Sequence, residues 1–156
     1  MASMSDFLEN KIIDWLLRAQ AIGVTGASAG AGTGPTNVYV GLLTAAPSDT
    51  GGGTEVTGGS YARVTVASSL ANWAGTQAAA STTASTGTSG TTSNNSAITF
   101  PAPTANWGSV THLGIYDAVS GGNLLFWAAL TTPKTVNNAD PAPSFAAAAL
   151  TLQIDN

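Results

Sequence analysis

Short runs of strand-forming residues, separated by turns rich in Gly, Pro and Asn, follow one another from residue 37 to the end of the chain. These runs lie at 37–44, 61–68, 97–101, 109–117, 122–130 and 144–154. Several alternate apolar and polar residues, which is the period of a strand, and no helical segment separates them, so they indicate antiparallel pairing. The predicted fold class is mainly β: an antiparallel β-sandwich or jelly roll preceded by one N-terminal amphipathic helix.

The N-terminal segment has a helical period. Ser3 or Ser5 suits the N-cap and Gly23 suits a stop, which together predict a helix near residues 5–20. Its apolar residues share one broad face, which we predict to be an oligomer or capsid interface: Phe7, Leu8, Ile12, Trp15 and Leu16. Five of the twelve charged residues of the chain lie on this helix, and we expect the helix to present them to water.

The chain is predicted to have three parts. Residues 1–22 form the helix, an anchor or oligomerisation arm, and residues 23–36 form a flexible linker of Gly, Ala, Ser and Thr. Residues 37–156 form the β-sandwich domain, with a low-complexity loop near 74–96. A helix on such a tether can dock on its own β-domain or on another chain, and its wide apolar stripe favours the second arrangement.

The scarcity of charged and reactive side chains excludes many functions. The chain has no Cys, one His, four basic residues and a net charge of −4. The missing Cys exclude disulfide scaffolds and thiolate metal sites, and a single His excludes three-His metal chemistry. So few basic residues argue against nucleic acid and anionic lipid as partners. No apolar run approaches the ~20 residues of a membrane span, and no secretory signal is visible.

Three features were candidates for chemistry or binding. His112 lies in a predicted strand, but no G-x-S-x-G elbow accompanies it, so no catalytic residue is predicted. The loop at 49–55 has carboxylates and glycines but matches no EF-hand, so a glycine turn is favoured over a metal site. The four Trp and three Tyr residues could line a carbohydrate or protein contact, although most are expected in the core. No cofactor is predicted.

Several stretches together resemble a family of small structural proteins of tailed bacteriophages. They are SDFLENKIIDWLLR, VYVGLLTAAPSDTGGGTEVTGGSYARVTV, the stretch from NNSAITFPAP to LTTPKTV, and SFAAAALTLQIDN. The most specific parts are GTEVTGGSYARV and WGSVTHLGIYDAVSGGNLLF. The motif positions, interpreted as fold-defining rather than catalytic, are Tyr61, Arg63, Trp107, Gly108, His112, Gly114, Asp117, Gly121 and Gly122. Arg63 is expected to pair with Asp117 or another acid.

The resemblance implies a non-enzymatic virion protein, made in the host cytoplasm. The favoured function is that of a capsid decoration (cement) protein, which binds the exterior of the assembled head through the major capsid protein or other virion proteins. It is expected to be a homo-oligomer, with a trimer favoured. The alternative is a tail-fibre or head-fibre component that binds a host surface glycan or receptor.

Overall fold

The computed structural model describes residues 4–23 and 34–154. Ser3, residues 24–33 of the predicted linker and the last two residues lie outside the described residues. The helix is α1 (Asp6–Arg18). The strands are β1 (Asn37–Ala45), β2 (Thr54–Glu55), β3 (Val64–Ala67), β4 (Thr91–Ser93), β5 (Ile98–Thr99), β6 (Gly108–Tyr116), β7 (Leu124–Val136), β8 (Ser144–Phe145) and β9 (Thr151–Gln153).

The predicted fold class is confirmed, since the chain is mainly β, with antiparallel sheets and an N-terminal helix. The β-sandwich or jelly-roll arrangement stays a prediction. The chain divides into two compact units. Unit 1 comprises Met1–Asn37, Ala67–Ile98 and Phe145–Asn156, and unit 2 comprises Val38–Val66 and Thr99–Ser144.

Helix α1 is shorter than its sequence pattern predicts. Ser5 occupies the N-cap, as one of the two predicted caps, although its side chain makes no capping hydrogen bond. The helix ends at Arg18 because Ala19 adopts a left-handed conformation with φ of 53°. The Gln20 N–H then donates to the Asp14 carbonyl at 2.9 Å, a contact typical of helix C-termini. The predicted stop at Gly23 is therefore not where the helix ends.

Unit 2 is built on a sheet in the order β2-β1-β6-β7, with β3 also paired to β1. Strands β1 and β6 pair antiparallel, with Tyr39 opposite Tyr116 and Gly41 opposite Gly114. A Cβ atom on Gly41 would lie 3.0 Å from the Tyr61 hydroxyl, and one on Gly114 would lie 2.8 Å from the Tyr116 ring. This pair of glycines therefore makes room for two tyrosine rings on one face of the sheet.

Strand β7 lies at the edge of this sheet, where it pairs with β6 along most of its length. Pro133 and Lys134 lie near its end, and both residue types are common on edge strands, where no further ladder has to form. The first half of β7 has the sequence LLFWAAL, and Trp127 there is 40% exposed. Trp127 is therefore exposed in the half of β7 that contains neither Pro nor Lys.

Unit 1 contains the antiparallel pair β4–β9, with Thr92 opposite Leu152. Next to this pair, Asn94 is 1% exposed. Its amide nitrogen donates to the carbonyls of Ser96 and Ala146, each at 2.8 Å, and its Oδ1 accepts from the Leu150 N–H at 2.9 Å. The predicted strand at 144–154 is therefore divided into β8 and β9, because Asn94 binds backbone groups of the alanine-rich segment between them.

Candidate functional site

A cluster around Glu55 brings together several of the predicted motif positions in unit 2. Arg63 binds Glu55 through two parallel hydrogen bonds, from Nε to Oε1 at 2.8 Å and from Nη2 to Oε2 at 2.7 Å. Its Nη1 donates to the carbonyls of Ala118 and Gly121 at 2.7 and 2.8 Å. The guanidinium carbon lies 3.4 Å from the centre of the Tyr116 ring. One side chain thereby ties strand β2 to the loop between β6 and β7.

Tyr61 forms the other half of this cluster. Its hydroxyl donates to Glu55 Oε1 at 2.8 Å and accepts from the Leu42 N–H at 2.9 Å. Its ring meets Trp107 edge to face, with centroids 5.4 Å apart. The Trp107 indole in turn donates to the Gly59 carbonyl at 2.9 Å. Polar and aromatic contacts therefore hold Tyr61 at both ends of its ring.

The electrostatics of the cluster favour its hydrogen-bonded state. Burial opposes ionisation of Glu55, but the hydrogen bonds from Arg63 and Tyr61 outweigh it and hold the pKa of Glu55 below its usual value. Burial raises the pKa of the Tyr61 phenol, and the neighbouring Glu55 carboxylate raises it further. The hydrogen bond to Glu55 raises the pKa of Arg63. Tyr61 thus stays protonated and Arg63 charged, which suits a structural clamp rather than acid–base chemistry.

Asp117, the first of the acids predicted to pair with Arg63, does not form this ion pair. The residue that pairs with Arg63 is Glu55, an acid that the sequence alone did not single out. Asp117 instead accepts from the Asn123 side-chain amide and from the Asn123 backbone N–H, each at 2.7 Å. These two hydrogen bonds lower the pKa of Asp117. In the loop between Asp117 and Asn123, both Gly121 and Gly122 have positive φ. A Cβ atom on Gly122 would collide with the Asp117 carboxylate.

The remaining motif positions lie outside the cluster. Gly108 opens β6 with φ of 86°, and Gly114 lies opposite Trp127 of β7. His112 is half-buried, its Nδ1 is 2.8 Å from the Thr111 hydroxyl, and its ring centroid is 5.9 Å from that of Trp127. Their interpretation as fold-defining positions stays a prediction.

Helix α1 is oriented in unit 1 differently from the prediction. Its buried residues are Glu9, Asn10, Ile13, Asp14, Leu17 and Arg18, so most of its charged and polar side chains face the protein rather than water. The predicted interface residues are less buried: Phe7 is 57% exposed, and Leu8, Ile12, Trp15 and Leu16 are half-buried. The prediction that the helix presents its charges to water is wrong for Glu9, Asp14 and Arg18.

A network with the low-complexity segment explains this orientation. Arg18 is fully buried and donates to Asp14 at 2.5 Å, to the Trp73 carbonyl at 3.0 Å and to the Thr83 carbonyl at 2.5 Å. Asp14 also accepts from the Ser85 N–H at 2.8 Å. Because groups of 73–87 form hydrogen bonds with Asp14 and Arg18, these two side chains can be buried without unsatisfied charges.

Asn10 extends the same network by one turn. Its amide donates to the Gly87 carbonyl at 2.9 Å and accepts from the Thr76 hydroxyl at 2.5 Å. The Thr76 Oγ1 accepts from the Gly87 N–H at 2.9 Å. Residues 73–87, most of which fall in the predicted low-complexity loop near 74–96, are therefore the partner of the polar face of α1.

Sequence reasoning missed Glu55 and the polar face of α1. A signal for Glu55 existed, because Tyr61 and Arg63 are motif positions and Glu55 is the nearest acid that precedes them in the sequence. Among residues 4–23 and 34–154, no group of three or more His, Cys, Asp or Glu side chains is placed to hold a metal ion. Within the same residues, no helix has the length and apolarity needed to cross a membrane.

Comparison with known proteins gives one assignment. No curated protein matches the chain. A family model described as "Podophage GP4 fiber I protein gp80" matches residues 3–153, which covers both the motif cluster of unit 2 and the helix of unit 1. The predicted resemblance to phage structural proteins is thereby confirmed. The chain belongs to the family of Podophage GP4 fiber I protein gp80, a family of fibre-like phage structural proteins.

Proposed function

We propose that this protein is a non-enzymatic fibre component of a phage virion, made in the host cytoplasm. The observation that carries the proposal is the match of the fibre family over residues 3–153. The chemistry of the motif cluster supports a structural role. Arg63, Glu55 and Tyr61 bind one another and nearby backbone groups, and burial raises the pKa of Tyr61. Groups held in this way stiffen a loop and do not supply a base or nucleophile.

The fibre assembles, in this proposal, through apolar residues of α1: Leu8, Ile12, Trp15 and Leu16, which form its apolar face, and Phe7, which lies in its first turn. The opposite face is already occupied within unit 1 by the 73–87 segment. Phe7 is 57% exposed, and large exposed apolar side chains are typical of surfaces that another chain covers. The spacing of Leu8, Ile12 and Trp15, four and then three residues apart, matches the seam of a short coiled coil. The occupant is therefore the equivalent helix of further copies, with a trimer favoured.

Light scattering coupled to size exclusion tests this assembly on the full chain. We expect the wild-type protein to be an oligomer and the double variant Phe7→Asp/Ile12→Asp to be a monomer with an unchanged far-ultraviolet circular dichroism spectrum. Val119→Asp is the matched control, because Val119 is a 61% exposed apolar residue of unit 2. A monomeric wild-type protein, or a double variant that keeps the wild-type mass, would contradict assembly through the helix.

Capsid decoration is the second candidate, and the same helix face would then anchor the protein to the head. A shell protein that binds only the assembled capsid stabilises it by mass action, and repeated copies add avidity. Quantification of the protein in purified virions, with antibody labelling in electron micrographs, separates the two functions. We expect a low copy number at fibres. A copy number in the hundreds, spread over the capsid exterior, would replace the fibre proposal with decoration.

A further inference from the structure

Unit 2 has an open groove that neither the motif cluster nor the helix explains. It has a volume of about 540 Å³ and is lined by residues 48–51, 122–125 and Trp127. We propose that this groove binds a neutral sugar. The inference deepens the proposed function, and it rests on that function in so far as a fibre presents a surface to the host.

The lining of the groove includes an aromatic side chain, Trp127. Trp127 is 40% exposed on β7, and its ring lies beside that of His112, with centroids 5.9 Å apart and planes tilted by 52°. Opposite Trp127, β6 contributes Gly114, which has no side chain. An exposed indole is a large apolar surface with a polar N–H, which suits a ligand that has both C–H faces and hydroxyl groups.

The groove lining also includes a tight polar turn at residues 48–51. Ser48 and Gly51 exchange both backbone hydrogen bonds, at 2.9 and 2.8 Å. The Ser48 hydroxyl contacts the Gly51 carbonyl and the Thr50 hydroxyl, both at 3.0 Å. These bonds close the turn, at whose tip Asp49 and Thr50 are exposed. A rigid turn that carries such groups loses little conformational freedom when it binds hydroxyls.

Asp117 holds a further lining residue, Asn123, in place. The Asp117 carboxylate accepts from the Asn123 backbone N–H and side-chain amide, each at 2.7 Å. The Asn123 side chain is thereby fixed, and it adds an amide group to the carboxylate and hydroxyl groups that Asp49 and Thr50 bring to the lining. Carboxylates, amides and hydroxyls beside an aromatic ring are the few convergent polar groups by which a pocket orients a hydroxyl-rich ligand.

The charge of the groove selects against anionic ligands. Among the described residues that line it, none is Lys or Arg, and Asp49 contributes a negative charge. An acidic sugar or a phosphate would meet this carboxylate with no cation to offset it. A neutral hexose or N-acetylhexosamine unit brings no such repulsion, which is why we assign the site to neutral sugars.

Saturation-transfer NMR and calorimetry with the full chain test the proposal. The probes are methyl glucoside, methyl galactoside and N-acetylglucosamine, with glucuronic acid as the anionic counterpart. We expect at least one neutral probe to bind with a millimolar Kd, and glucuronic acid to bind at least tenfold more weakly. Trp127→Ala should weaken binding of that neutral probe at least tenfold and Asp49→Ala at least threefold. Val119→Ala, at an exposed site outside the groove, should leave it unchanged.

Asp49 lies on an exposed turn, so its variant keeps the test informative even where Trp127→Ala fails to fold. Failure of all three neutral probes to bind would overturn the proposal, as would equal binding of glucuronic acid. A Trp127→Ala protein with altered oligomeric mass would also overturn it, since the groove would then be a subunit interface. Absence of sugar binding in a protein located at fibres leaves the proposed function intact. Sugar binding by a protein located on the capsid instead refutes only the fibre role.

Discussion

The buried Asp14–Arg18 pair makes a quantitative prediction about how α1 is held. Asp14 and Arg18 side chains are 4% and 0% exposed, and their salt bridge is 2.5 Å long. Removing one partner of a buried pair typically costs about 3–5 kcal/mol, because the other charge is left uncompensated. We therefore expect Asp14→Ala to lower the free energy of unfolding by that amount, a large share of the ~5–15 kcal/mol of an ordinary domain.

The double variant Asp14→Ala/Arg18→Met distinguishes the interaction between these two residues from their contacts with the rest of the protein. Removing both charges avoids an uncompensated ion, yet the carbonyls of Trp73 and Thr83 lose their donor. An unsatisfied buried acceptor costs about 1–3 kcal/mol. The double variant should thus be destabilised by at least ~2 kcal/mol less than the sum of the two single variants, the mark of direct coupling.

Urea unfolding followed by circular dichroism measures these values, and hydrogen exchange of the α1 amides localises the effect. Asp49→Ala is the matched control, since it removes the same charge from an exposed turn and should change stability by no more than about 0.5 kcal/mol. An Asp14→Ala protein within ~1 kcal/mol of the wild type, with additive effects in the double variant, would refute the inference that this network holds the helix.

Two further predictions concern unit 2. Because the folded-state pKa of Glu55 lies below its ordinary value of 4.5, its ionisation contributes stability that is complete above that value and is lost as the pH falls through the lower folded-state pKa. Glu55→Gln should remove this part of the acid dependence in urea unfolding between pH 6 and 3, and an unchanged pH profile would contradict it. Gly122→Ala should destabilise the protein by about 1–3 kcal/mol more than Gly121→Ala, because both have positive φ but only Gly122 lacks space for a Cβ. Equal melting temperatures of the two variants would show that a Cβ atom at Gly122 does not destabilise the protein through its contact with Asp117.

Much of the local structure of the chain could be predicted from its sequence. The helical stripe at 7–16 and the runs that became β1, β6 and β7 are patterns between near neighbours, and the physical forces behind them act over a few residues. The glycine turn after Asp117 is local in the same sense. The sequence also showed which residue types occupy the motif positions and how few charged or reactive side chains the chain carries.

Only the tertiary structure decided which groups those elements meet. Arg63 pairs with Glu55 rather than Asp117 because the sheet brings β2 beside it, and the last predicted strand divides because Asn94, some fifty residues earlier, binds its backbone. The orientation of α1 is the clearest case. By sequence alone, its charges belong in water, since a lone buried charge is costly. Groups of 73–87 offset that cost by hydrogen bonding to Asp14 and Arg18, so the helix buries these two charges beside Ile13 and Leu17.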